Sequence, residues 1–211
     1  MNNLNQNTNL LKLIAIFTMI IDHVGAVFFP NMIIFRCIGR LGFPLFFYST
    51  FFGYFKTKNL KKYIFRLLLI ALISEIPYYL LFEIKELNIC FTLILELLFL
   101  YFLDNKKYAL YFITLTFSLL LIPFTSYLMF IIIMTPLFYY TKNTKTLFSI
   151  SYILFYILMV LTGYNKIYLL AILSLPLIIF NIKLNVKINK YFFYIFYPAH
   201  LIILLLIKIM L

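Results

Sequence analysis

Charge is scarce in this chain. Asp, Glu, Lys and Arg make up 11% of it, against about 25% in an ordinary soluble domain. Acids are scarcer still, with six Asp and Glu among 211 residues. Together with 65% hydrophobic residues and a mean hydropathy of +1.06, this shortage excludes the soluble globular class. Cysteine is nearly absent. Cys37 and Cys90 lie in or beside apolar runs, which excludes a disulfide framework and offers no metal-ligand spacing. The chain has no Gly-rich phosphate loop, no HExxH helix and no GxSxG elbow, so the chemistries those motifs carry find no support. A positive stretch ahead of a short apolar core is also missing. Met1–Asn9 is polar, Asn-rich and uncharged, and Leu10–Phe29 is long enough to span, so a retained first membrane helix is expected rather than a cleaved leader.

What the chain has in abundance is apolar segments. Nine can be delimited: Leu10–Phe29, Met32–Phe55, Lys62–Phe82, Ile89–Leu103, Tyr108–Ile122, Phe124–Tyr140, Leu147–Gly163, Ile167–Ile182 and Tyr191–Leu211. Only Pro123 and its neighbours divide the fifth from the sixth. The expected fold is all-α, a polytopic membrane helical bundle with about nine transmembrane helices, and residues 1–211 form a single membrane domain. The short loops leave no room for a soluble domain. No internal repeat is visible, so the inverted-repeat signature of many transporters is lacking.

The net charge of +12 would suit nucleic acid, but its distribution does not. The even-numbered loops carry eleven lysines (Lys56, Lys58, Lys61, Lys62, Lys106, Lys107, Lys142, Lys145, Lys183, Lys187, Lys190), while the odd loops carry two, Lys85 and Lys166. That alternation places the N-terminus and the even loops in the cytoplasm and the C-terminus outside. No basic patch with interleaved aromatics stands apart from the spans, so the expected partner is the lipid bilayer and not nucleic acid.

Ionisable groups at bilayer depth cost about 2.5–3.5 kcal/mol each on insertion scales, which makes them candidates for function. Asp22 and His23 fall just past the middle of the first segment and Glu75 just past the middle of the third. Arg36 and Arg40 lie in the second, four residues apart on one helical face. Glu96 is near the middle of the fourth and His200 of the ninth. These seven groups from five segments share one height. Small residues flank them: Gly25 and Ala26 after the Asp-His pair, and Gly39 and Gly42 around Arg40, followed by Pro44. Pro77 follows Glu75 and Pro198 precedes His200, with Tyr194, Tyr197 and His200 spaced by threes. Plainer roles compete. The acids could be buried partners of the arginines, the histidines helix-to-helix hydrogen bonders and the tyrosines core. Arg66, nearer the cytoplasmic end of the third segment, could snorkel to the interface.

Two histidines, carboxylates and an arginine pair fit acyl transfer. A general base takes a proton from an amine or hydroxyl acceptor, and a cation stabilises the oxyanion. The same groups could form a proton relay in a transporter or flippase, and composition does not separate the two. Nothing in the spacing argues for a metal.

Four stretches, "LLKLIAIFTMIIDHVGAVFFP", "IGRLGFPLFFY", "LKKYIFRLLLIALISEIPYYL" and "KYFFYIFYPAHLIILLL", resemble the TraX family of membrane proteins, which includes the F-pilin acetylase. They occur in order and span nearly the whole chain. The resemblance implies an acyl-CoA-dependent acyltransferase of the bacterial cytoplasmic membrane, with acetyl-CoA as donor co-substrate and no metal. It implies a peptide, pilin-like or glycan acceptor, in the setting of conjugation and pilin modification. Carried over, Asp22, His23 and His200 are the catalytic candidates. Arg36, Arg40, Glu75, Glu96 and Tyr197 are the substrate-binding ones. His23 steadied by Asp22 is the expected base, with His200 its rival.

Overall fold

A computed structural model describes residues 4–121, 125, 127–182, 184, 186 and 188–211. Within them the secondary structure is helical, without strands. The helices are α1 (Thr8–Phe28), α2 (Ile33–Gly39), α3 (Gly42–Lys56), α4 (Leu60–Phe82), α5 (Ile89–Asp104), α6 (Tyr108–Leu120), α7 (Leu128–Thr141), α8 (Lys145–Leu161), a 3₁₀ helix (Lys166–Ser174), α9 (Leu175–Ile179) and α10 (Lys190–Met210). Three have the length and composition to cross a membrane, namely α1, α4 and α10. Shorter apolar helices occupy most of the other apolar segments. The Pro123 junction and the loop lysines Lys183 and Lys187 lie outside the described residues.

Asparagine starts many of these helices. Asn7, Asn59, Asn88, Asn165 and Asn189 each accept a backbone N–H from the first turn of the helix they precede, filling a donor the helix cannot satisfy itself. Outward faces are apolar. On α4, Phe65, Leu69, Leu72, Ile76 and Tyr79 form an exposed stripe at helical spacing, the surface that lipid covers.

Two of the expected segments are not continuous α-helices. The second breaks at Arg40–Leu41 into α2 and α3. Pro44 has no N–H to offer the Arg40 carbonyl, and Gly39 and Gly42 weaken the helix on either side. The eighth segment is the 3₁₀ helix followed by α9. The C-terminal end of the 3₁₀ helix is held by side-chain hydroxyls. The Ala171 carbonyl accepts from the Ser174 hydroxyl at 2.6 Å and from the Tyr152 hydroxyl at 3.2 Å. Leu175 N–H bonds instead to Ile172, three residues back.

The chain divides into two compact units, residues 1–52 with 137–188 and residues 53–136 with 189–211. In the first, α1 and α2 form a tight hairpin. Phe29 and Phe35 stack at 5.3 Å beside its turn. Gly25 and Gly39 permit the approach, since a Cβ at either would collide with Phe35 or with the Asp22 carboxylate. Behind the hairpin, Phe138 is the hub of an aromatic core, 5.0 Å from Phe47, 5.6 Å from Phe51 and 4.6 Å from Phe148, centre to centre. The N-terminal segment is pinned by its asparagines. Asn5 bonds the carbonyls of Leu177 and Ile178, Asn7 those of Ile182 and Leu184, and Asn9 that of Val186.

In the second unit α4 and α10 lie side by side and parallel. Arg66 meets Tyr194 near their starts. Near their ends Lys208 donates to the Leu81 carbonyl at 3.0 Å and to Glu83 at 2.6 Å. Lys208 thereby caps carbonyls at the C-terminus of α4, where Glu83 turns the chain in the left-handed region at φ 57°.

Candidate functional site

The first unit joins three of the candidates. Asp22 leaves α1 toward α2 and accepts from Arg36 Nη1 at 2.7 Å and from Arg40 Nη2 at 3.4 Å, one guanidinium on each carboxylate oxygen. Arg40 sits at the break between α2 and α3, and its Nε donates at 3.3 Å to the Arg36 carbonyl, which also accepts Arg40's backbone N–H at 3.2 Å. Tyr168 of the 3₁₀ helix covers the guanidinium, its ring centre 5.1 Å from Arg40 Cζ. The Arg40 side chain is 7% exposed, Asp22 13% and Arg36 39%. One carboxylate therefore holds two permanent cations, one buried and one, Arg36, that reaches the outside.

His23, half-buried, follows Asp22 in α1. Successive helical residues point about 100° apart, so the two side chains leave on different faces. Asp22's charge is engaged by the arginines, so its first role in this geometry is to hold that pair.

The second unit gathers Glu75, Tyr197 and His200, and adds a residue that the sequence did not mark. Asn88, fully buried, donates to Glu75 Oε2 from its side chain at 2.6 Å and its backbone at 3.1 Å, and to the Ala71 carbonyl at 2.8 Å. It thus ties α5 to α4 while its own oxygen caps Cys90 N–H. The buried Tyr197 of α10 lies against the backbone of Ile89, near Cys90, Tyr78 and Glu75. His200 stacks flat on Phe196 at 5.2 Å and meets Tyr197 edge-on at 5.4 Å. Its Nδ1 is 3.1 Å from the Phe196 carbonyl, which can only accept. The neutral ring therefore carries its hydrogen on Nδ1 and leaves Nε2 as the basic nitrogen.

Glu96, on α5, is fully buried, and neither carboxylate oxygen has a hydrogen-bond partner among the described residues. Among those residues, no three His, Cys, Asp or Glu side chains come together as a metal site. Sequence reasoning missed two residues of these clusters. Asn88 carried a visible signal as an N-cap before an apolar run, but none for its bonds to Glu75. Tyr168 carried no signal, because its contact with Arg40 depends on the 3₁₀ conformation.

No solved structure matches the chain. A protein of Rickettsia prowazekii (strain Madrid E), described as uncharacterized protein RP591, is 31% identical over 100 residues, which covers 46% of this chain and 38% of that protein. The family described as TraX protein matches residues 7–208, taking in both clusters and nearly every helix. The chain is a member of the TraX family.

Proposed function

We propose that this TraX family member is an integral membrane acyltransferase that moves acetyl from acetyl-CoA to an amine, such as a peptide or pilin-like N-terminus, or to a hydroxyl acceptor. The observation that carries this reading is Arg36 and Arg40 on the single carboxylate of Asp22, at a break in a membrane segment. Two guanidiniums held in place by one carboxylate suit an oxyanion that develops during the reaction, or a donor phosphate. Broken helices are tolerated at membrane depth where they line a site.

An N-terminal amine has a pKa of about 7.7–8.0, so a base must strip its proton at neutral pH. His23, next to the arginine-bound Asp22, takes that role, and His200 through Nε2 is the rival. The amine nitrogen forms a bond to the thioester carbonyl as the carbon–sulfur bond breaks. The ammonium's first proton leaves through the base to solvent, and the second, lost as the amide forms, passes through the base to the departing thiolate. The placement is the bacterial cytoplasmic membrane, with about nine crossings, the N-terminus inside and the acyl donor arriving from the lysine-rich face. The parallel run of α4 and α10 supports it, because the third and ninth crossings share a direction.

A proton-coupled transporter or flippase is the second reading, favoured by one observation, the buried and unpartnered Glu96. Membranes containing the protein, supplied with radiolabelled acetyl-CoA, separate the two. A labelled acceptor that disappears in a folded, inserted His23→Ala variant supports acyl transfer. Absence of any labelled product from wild-type membranes given pilin-like peptides and native extracts ends that reading.

A further inference from the structure

Arg66 lies in the second unit, away from the groups assigned above. It stands six residues into α4, about 9 Å from the start of the helix. Its Nε donates to the Tyr194 hydroxyl at 3.1 Å. Its Cζ is 5.7 Å from the Tyr194 ring centre and 5.9 Å from that of Tyr63. Two tyrosines are thus its side-chain partners among the described residues, and no carboxylate lies within ion-pair distance. The other two arginines share Asp22.

A permanent cation beside aromatic rings on an apolar helix, with no acid at ion-pair distance among the described residues, suits an anion from outside. The geometry says which edge receives it. Nε is used on Tyr194, so Nη1 and Nη2 remain, and that pair can grip a phosphate with two parallel bonds. The two ring contacts fix the plane of the fork. The surrounding potential has the same sign. Lys62 precedes Arg66 by one helical turn, and Lys56, Lys58 and Lys61 crowd the approach to α4. An arginine that merely snorkels to the interface does not require a hydroxyl partner and two aromatic walls.

We propose that Arg66, oriented by Tyr63 and Tyr194, is a phosphate-binding site at the start of α4. Its ligand is a phosphate of an acyl-CoA donor or of an anionic lipid headgroup. The coenzyme source rests on the acyltransferase reading, and the lipid source does not. The position suits either, because it lies within reach of both headgroups and the aqueous face.

The test uses the full-length chain in lipid nanodiscs, and it measures binding rather than turnover, so failure of acetyl transfer would not decide it. One arm titrates coenzyme A and adenosine 3′,5′-bisphosphate against protein in phosphatidylcholine nanodiscs. The other measures retention of phosphatidylglycerol over phosphatidylcholine by native mass spectrometry. Wild-type protein is expected to bind in one arm, and the responding arm names the source. Arg66→Gln weakens that binding by about tenfold or more, the scale of charge-assisted hydrogen bonds. Arg66→Lys does not restore it, because an ammonium lacks the fork. Tyr194→Phe, which keeps the ring and removes one hydroxyl, weakens it severalfold. Wild-type binding in neither arm overturns the site. So does full-strength binding by Arg66→Lys, which would reveal a generic interfacial cation, or by Tyr194→Phe, which serves even if Arg66→Gln fails to fold.

Discussion

The carboxylate of Asp22 lies directly over Gly39, in the space where any other residue would place its Cβ. Asp22 can reach Arg36 at 2.7 Å only because that Cβ is missing. Backbone approach between α1 and α2 and assembly of the charged cluster are therefore one event. Gly39→Ala is expected to push Asp22 off the arginines, costing about 1–3 kcal/mol of stability, the usual range for overpacking. It should also reduce acetyl transfer more than Gly53→Ala, where the Tyr63 ring tip would need to give by only a few tenths of an ångström. Thermal unfolding in detergent and labelled-acetate incorporation check both. Equal effects from the two glycines would reject the coupling.

The two arginines should respond unequally to loss of Asp22. Arg40 is buried at the helix break, whereas Arg36 is more than a third exposed. Asp22→Ala takes from the buried Arg40 the carboxylate that meets its Nη2, and about 3–5 kcal/mol is expected from breaking such a pair. Arg36→Gln leaves Asp22 still bonded to Arg40 and should cost about 0–1 kcal/mol. Adding Arg40→Met to Asp22→Ala should recover much of the stability, because the buried half of the broken pair is then removed as well. Urea-gradient unfolding of the single and double variants supplies the comparison, and additive losses would contradict the pairing.

Asn88 predicts a second contrast. Asn88→Ala removes both side-chain donors at the α4–α5 junction, and about 1–2 kcal/mol is expected. Asn88→Asp keeps the volume and the N-cap acceptor but places a carboxylate against Glu75, so it should destabilise more than Ala does. The order of melting temperatures tests this. Asp tolerated better than Ala would mean that Glu75 is not held as described.

The Glu83–Lys208 clasp gives a pH dependence. Lys208 holds the exposed Glu83 carboxyl below its ordinary range, first by its hydrogen bond and then by its charge. A carboxylate whose pKa is lower in the folded state stabilises that state above its unfolded pKa, and the contribution fades as pH falls through the folded value. The end of α10 should therefore loosen in acid, as pH falls below the ordinary range of a glutamate carboxyl. A spin label at Met210 should report that transition, and Glu83→Gln should remove it by loosening the end at every pH. A transition unchanged in Glu83→Gln would assign it to another group.

Much of this was visible in the residues themselves. Apolar runs separated by short lysine-bearing loops determine a helical membrane protein, because exposed backbone in lipid has few alternatives to the helix. The spacing of Arg36 and Arg40 on one face, and the small residues around them, marked where helices could come close. That legibility comes from local chemistry, in which cost at membrane depth and helical period are properties of short stretches.

Partnership was not local, and only tertiary structure decided it. Asp22 stands next to His23 in the chain, yet its carboxylate serves the arginines, because Gly39 opens space on that side of α1. The second segment, which reads as one span, is two helices because Pro44 withholds a single N–H from Arg40. The eighth winds as 3₁₀ over Lys166–Ser174, and that winding carries the Tyr168 that covers Arg40. The sequence alone determined which groups lie at depth, since burying them has a cost that composition records. Which of them touch depends on single hydrogen bonds and missing Cβ atoms, which leave hydropathy unchanged.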